Sequence, residues 1–209
     1  MTAIIIIFLD RGKQIIIASD TKHTYPDTVD GETKTKLVGN MLFCGAGYDD
    51  SIGSLLREVE SLDDLNSCVD KIKNLKIQHQ EMLKYGTAKE DAQNIYDTEF
   101  IIADTRNIGA FLMRGINISK IGGFEIIGSG AKRRGDIKGI FSGYKDRSFN
   151  DKTKDGIFRD IIDAFLDVGK FDSNTGHPAV FPLEIFVLEK EKSVQKHILE
   201  FKKELLRDV

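Results

Sequence analysis

Ala3-Ile4-Ile5-Ile6-Ile7-Phe8-Leu9-Asp10-Arg11-Gly12-Lys13-Gln14-Ile15-Ile16-Ile17-Ala18-Ser19-Asp20 holds two near-continuous apolar runs around a short polar break. Side chains branched at Cβ lose rotamer freedom in a helix and pack well on a pleated sheet, so isoleucine density predicts strands. We read residues 3–9 and 14–19 as two buried strands. Asp10-Arg11-Gly12-Lys13 is the hairpin turn between them, with Gly12 supplying the backbone angle. The first run is too short for a bilayer, which needs ~20 apolar residues. Asp10 and Arg11 follow it and no basic stretch precedes it, so it reads as neither secretion signal nor membrane anchor.

Directly before the first strand stands Thr2, behind Met1. A small residue in second place lets the methionine be removed, leaving Thr2 with a free α-amine. One residue would then carry a hydroxyl nucleophile and a base, the amine having an unperturbed pKa of roughly 7.7–8.0. Met-Thr openings are also the ordinary start of a strand, so the rest of the chain has to bear on the choice.

The chain has 209 residues, 41% hydrophobic and 30% charged. That suits one sizeable globular domain, expected to span 1–209. The net charge of −3 is interspersed, which argues against a nucleic-acid or anionic-membrane surface. Lys132-Arg133-Arg134 reads as a solvated helix face. Cys44 and Cys68 are the only cysteines, too few for a disulfide framework, so a reducing, cytoplasmic setting is expected. The four histidines show no metal spacing.

Further along, 36–38 and 41–44 form a hairpin around Gly39-Asn40, and Gly45-Ala46-Gly47 breaks it. Asp49 or Asp50 is expected to cap a helix over 51–59. A second helix is expected over 61–85, opened by Ser61-Leu62-Asp63-Asp64 as a capping box and carrying an apolar stripe from Leu62 to Leu83. Strands follow at 99–103, 108–114 and 124–127, then a helical segment to about 141. An amphipathic helix is expected over 154–168, strands at 183–188 and 193–199, and a short terminal helix. Consecutive hairpins imply antiparallel sheets, and helices gathered between strand groups imply layers outside them. The expected class is α+β, a four-layer αββα sandwich of two antiparallel sheets between helix layers.

The residues with chemical promise recur at the element ends. Asp20 ends the second strand. Lys36 begins the third, and Gly45-Ala46-Gly47 follows the fourth. Gly128-Ser129-Gly130 closes an apolar strand and opens a helix. Asp172-Ser173-Asn174-Thr175-Gly176 follows the amphipathic helix. Taken singly, each has a plain reading: a turn aspartate, a strand-edge lysine, a glycine turn, a helix cap and a surface turn. In this order they resemble the β-type subunits of the proteasome and the bacterial HslV peptidase, members of the N-terminal nucleophile hydrolases. The resemblance runs from residue 2 to about 190.

The resemblance implies a threonine-type peptidase. Thr2 Oγ would be the nucleophile and its amine the proton acceptor. Lys36 would ease alkoxide formation, with Asp20 keeping it charged and oriented. The Gly45 N–H would bind the oxyanion, with Gly47 as the neighbouring candidate. Ser129 and Asp172 would fix the amine, supported by Thr175 and Gly176. Phe43, Gly47 and Thr21 would bind substrate, in an apolar pocket. No cofactor is required for this chemistry. A structural cation held by backbone carbonyls would leave no side-chain signature. The implied partners are peptides and unfolded proteins as substrates, a homo-oligomeric ring of like subunits, and an AAA+ ATPase unfoldase. Maturation would rely on removal of Met1. Two other readings stay open: a non-catalytic ring subunit that retains Met1, and an N-terminal nucleophile amidohydrolase acting on a small amide.

Overall fold

The isoleucine runs form the centre of one sheet. In the computed structural model, residues 3–20, 34–86, 89–171, 182–190 and 192–199 are described. Their elements run, in chain order, β1 (Ala3–Leu9), β2 (Gln14–Asp20), β3 (Thr35–Val38), β4 (Met41–Ala46), α1 (Asp49–Val59), α2 (Leu65–Tyr85) and α3 (Lys89–Asp97). They continue with β5 (Glu99–Asp104), β6 (Gly109–Arg114), β7 (Asn117–Ile121), β8 (Phe124–Gly128), α4 (Arg134–Ile140), α5 (Lys154–Phe171), β9 (Leu183–Glu189) and β10 (Gln195–Leu199). The class is α+β: two five-stranded sheets, every pairing antiparallel, with five α-helices among the described residues.

The chain divides into two compact units, each holding one sheet. In the first the strand order is β10-β9-β2-β1-β8. All seven residues of β1 and all seven of β2 are buried, which is why their sequences run apolar without alternation. Ala3, Ile5, Ile7, Ile16 and Ala18 pack with Ile137 of α4 and with Ile157, Ile161 and Phe165 of α5. Each fully buried isoleucine contributes roughly 1.5–3 kcal/mol relative to exposure. The turn after β1 is a short 3-10 segment in which Asp10 and Arg11, as well as Gly12, take positive φ (43°, 53° and 88°).

In the second unit the order is β3-β4-β5-β6-β7. Its core joins Met41, Phe43, Phe100, Ile102 and Met113 to Ile52, Leu55, Leu56 and Val59 of α1 and to Cys68, Val69 and Ile72 of α2. Two helix starts differ from expectation. α1 is entered from Tyr48 without a side-chain cap, and α2 begins at Leu65. Its cap is Asp64, which accepts a hydrogen bond from Ser67 N–H at 2.9 Å. The α3 helix and β7 were not expected. α3 is polar, with Ala92 as its fully buried residue, and β7 is a sheet edge with mostly exposed side chains. Neither carries a periodic apolar signal. The expected terminal helix lies outside the described residues.

Candidate active site

The first unit brings an acid to the head of β1. Asp20 is the last residue of β2, and only 1% of it is exposed. Its carboxylate accepts a hydrogen bond from the Ala3 backbone N–H at 2.9 Å. A buried carboxylate needs such a charge-assisted donor. The antiparallel register of β1 and β2 places the end of one strand beside the start of the other.

On the other side of β1, Ala3 pairs with Gly128 of β8. The chain then turns at Gly128 (φ 73°) into a short 3-10 helix over Ser129–Arg133. Gly130 packs so closely here that a Cβ would lie 2.3 Å from Ile126 Cδ1 and 3.4 Å from Ala3 Cβ. The Gly-Ser-Gly turn is therefore built against the start of β1. Arg133 ties this turn to the last turns of α5, bonding Asp167 at 3.3 Å and lying 4.0 Å over the Phe171 ring.

The second unit carries the lysines and glycines. Lys36 lies in β3, and its ammonium pairs with Glu60, just past α1. Both side chains are over two-fifths exposed. Lys36 was expected to serve Asp20, and here its ammonium is held by a surface carboxylate. Lys34, two residues earlier, is only 5% exposed. Its backbone carbonyl accepts the Gly45 N–H at 2.8 Å, so Lys34 stands directly opposite Gly45. The sequence reading passed over Lys34. The signal was present, a second lysine at the strand's start, but the Asp-to-Lys interval of sixteen residues pointed to Lys36.

That same bond corrects the expectation for Gly45. Its N–H is used inside the sheet and is not available to an oxyanion. Gly45 is a glycine because α1 crosses it: a Cβ would sit 2.8 Å from Ile52 Cγ2 and 3.2 Å from the Phe100 ring. Gly47 follows the last β4–β5 pair, Ala46 with Glu99. A Cβ there would meet Thr98 Oγ1 at 2.8 Å and Thr98 Cα at 3.1 Å. Phe43 is also corrected. It is fully buried in the core under α1 and α2, with no surface for a substrate. Thr2, Thr21, Asp172, Thr175 and Gly176 lie outside the described residues.

Among the described residues, no three His, Cys, Asp or Glu side chains gather as a metal site, and no helix is long and apolar enough to cross a membrane. Two surface clefts, of about 350 and 500 Å³, are lined elsewhere: the first around Asp63, Asp104 and Arg106, the second around Phe124, Phe141 and Tyr144.

The two antiparallel sheets and their helices make a proteasome-like N-terminal nucleophile hydrolase fold. The chain is similar to BPH of Thiobacillus denitrificans, a bacterial proteasome homologue, in its complex with epoxomicin. The likeness has a TM-score of 0.61 at 21% identity, covering 91% of this chain and all of that one. BPH alone matches at a TM-score of 0.60 and 20% identity over the same extents. No family model and no curated protein matches the sequence.

Proposed function

We propose that the chain is a threonine-type peptidase subunit, with Thr2 as nucleophile once its α-amine is free. The observation that carries the reading is the Asp20–Ala3 bond, which ties a buried carboxylate to the backbone of the residue after Thr2. The proteasome-like fold and the Gly-Ser-Gly turn against Ala3 support it.

In this mechanism Thr2 Oγ attacks the substrate carbonyl carbon, and its proton passes to the Thr2 amine through a water. The oxyanion is stabilised by a backbone N–H, a donor worth ~3 kcal/mol in such sites. We assign that donor to Gly47, because the Gly45 N–H is engaged by Lys34. The C–N bond then breaks, the leaving amine takes the proton, and an ester on Thr2 remains for water to hydrolyse. The lysine that favours the alkoxide is Lys34, the buried one, and Lys36 is the alternative. Asp20 holds the backbone of the residue after Thr2 in place. Ser129, Asp172, Thr175 and Gly176 keep the roles of holding the amine and its turn, and Thr21 that of binding substrate.

The wider reading is a self-compartmentalising ring of like subunits, HslV-like in maturing by loss of Met1 and fed unfolded protein by an AAA+ unfoldase. Intact mass of the purified protein, with turnover of fluorogenic peptides bearing an apolar residue before the cleaved bond, tests the proposal. Loss of Met1 with turnover supports it. Retained Met1 without turnover, in a ring-sized particle, favours the structural subunit.

A further inference from the structure

We propose that Lys76, far in sequence from the candidate site, is a positioning residue that fixes the turn at Gly47 by clamping Thr98. Lys76 lies in α2 and is fully buried. Its ammonium donates to the carbonyl oxygens of Ile95 at 3.0 Å, Tyr96 at 2.8 Å and Thr98 at 2.5 Å. Those three bonds use its whole donor capacity. The acceptors are the last carbonyls of α3 and the residue leading into β5. A helix leaves these groups unsatisfied at its negative end, where a cation is favoured.

Thr98 is held by two further bonds to one carbonyl. Its N–H and its hydroxyl both donate to the Asn94 carbonyl, at 3.1 and 2.7 Å. Gly47 then lies directly on Thr98, with room for no side chain. The path from Lys76 to Gly47 therefore runs through one immobilised residue. An apolar side chain would fill the space of Lys76 without burying a charge. What it would lack is three directed bonds converging on the junction of α3 and β5. Asp97 and Glu99 flank that junction and favour the charged lysine.

The effect on catalysis rests on the reading that Gly47 supplies the oxyanion donor. The clamp itself does not, so two measurements on Lys76→Met separate them. Amide hydrogen exchange should quicken by about tenfold or more at residues 45–48 and at Thr98, while β9 amides stay unchanged. In the active protein kcat should fall about tenfold with KM within about twofold, as for a misaligned donor. Unchanged exchange at Gly47 and Thr98 overturns the clamp. Faster exchange with unchanged kcat overturns the role in catalysis. Faster exchange in a protein whose wild type has no turnover upholds the clamp and discards the peptidase reading. If Lys76→Met does not fold, Lys76→Gln, uncharged and unable to donate to all three carbonyls, should give the same local loosening at Gly47 and Thr98, and its absence overturns the proposal.

Discussion

The Ala3 N–H and the Asp20 carboxylate are joined by a hydrogen bond of 2.9 Å in a buried setting. The bond closes the open end of the β1–β2 hairpin and anchors the chain one residue after Thr2. Asp20→Asn keeps the shape and removes the charge. A hydrogen bond to a charged group contributes about 1.5–3 kcal/mol, so urea unfolding should show a loss of about that size. On the proposed reading, peptide turnover should fall by at least about 100-fold, because Asp20 anchors the backbone next to Thr2.

The two lysines near β3 have different fates and give opposite predictions. Lys36→Met removes an exposed pair with Glu60, a type worth about 0–1 kcal/mol, and should change kcat/KM by less than about threefold. Lys34→Met should lower kcat by at least about 1000-fold with the fold intact by circular dichroism. Steady-state kinetics on the pair decides between them. The reverse order would return the role to Lys36.

Gly45 is required by packing. Gly45→Ala places a methyl against Ile52 and Phe100 and should cost about 1–3 kcal/mol. Ile52→Ala removes the two Ile52 carbons, Cγ2 and Cγ1, that the methyl would meet at 2.8 and 2.9 Å. In a double-mutant cycle the cost of Gly45→Ala should therefore shrink by at least about 1 kcal/mol in the Ile52→Ala background. Simple additivity would mean that the contact is not the cause.

Much of the fold was legible because β1, β2, β4, β5 and α5 carry unbroken apolar signals. α3 and β7 carry none. One is held by its place against α2, the other by its pairing with β6. The site was legible by order more than by register. Asp20 and the Gly-Ser-Gly turn fall beside Ala3. Lys34 and Lys36 stand two residues apart in one hairpin, and only the packing around each separates the buried lysine from the exposed one. Phe43 reads equally well as pocket or core from its neighbours, and burial makes it core. Lys76 could not be found at all. A lysine within a helical stripe looks solvated until the carbonyls of a later segment are placed around it.

Lys76 also sets a pH dependence. Burial pulls its pKa down from 10.5 to about 8, against the opposing pull of Asp97 and Glu99. The unfolded chain therefore holds this proton to higher pH than the folded one. Stability from this site should rise as pH goes from about 8 to 10.5 and be flat below 8. The difference between wild type and Lys76→Met, by urea unfolding at pH 7, 8, 9 and 10, should grow in favour of wild type. A difference that does not move over this range would place the lysine's proton elsewhere.

The peptidase reading stands or falls on Thr2. The direct measurement is peptide turnover by mass-verified protein beginning at Thr2, compared with Thr2→Ala of the same particle size. The account predicts turnover in the first and none in the second, a loss of at least about 1000-fold. Full turnover by Thr2→Ala would contradict it.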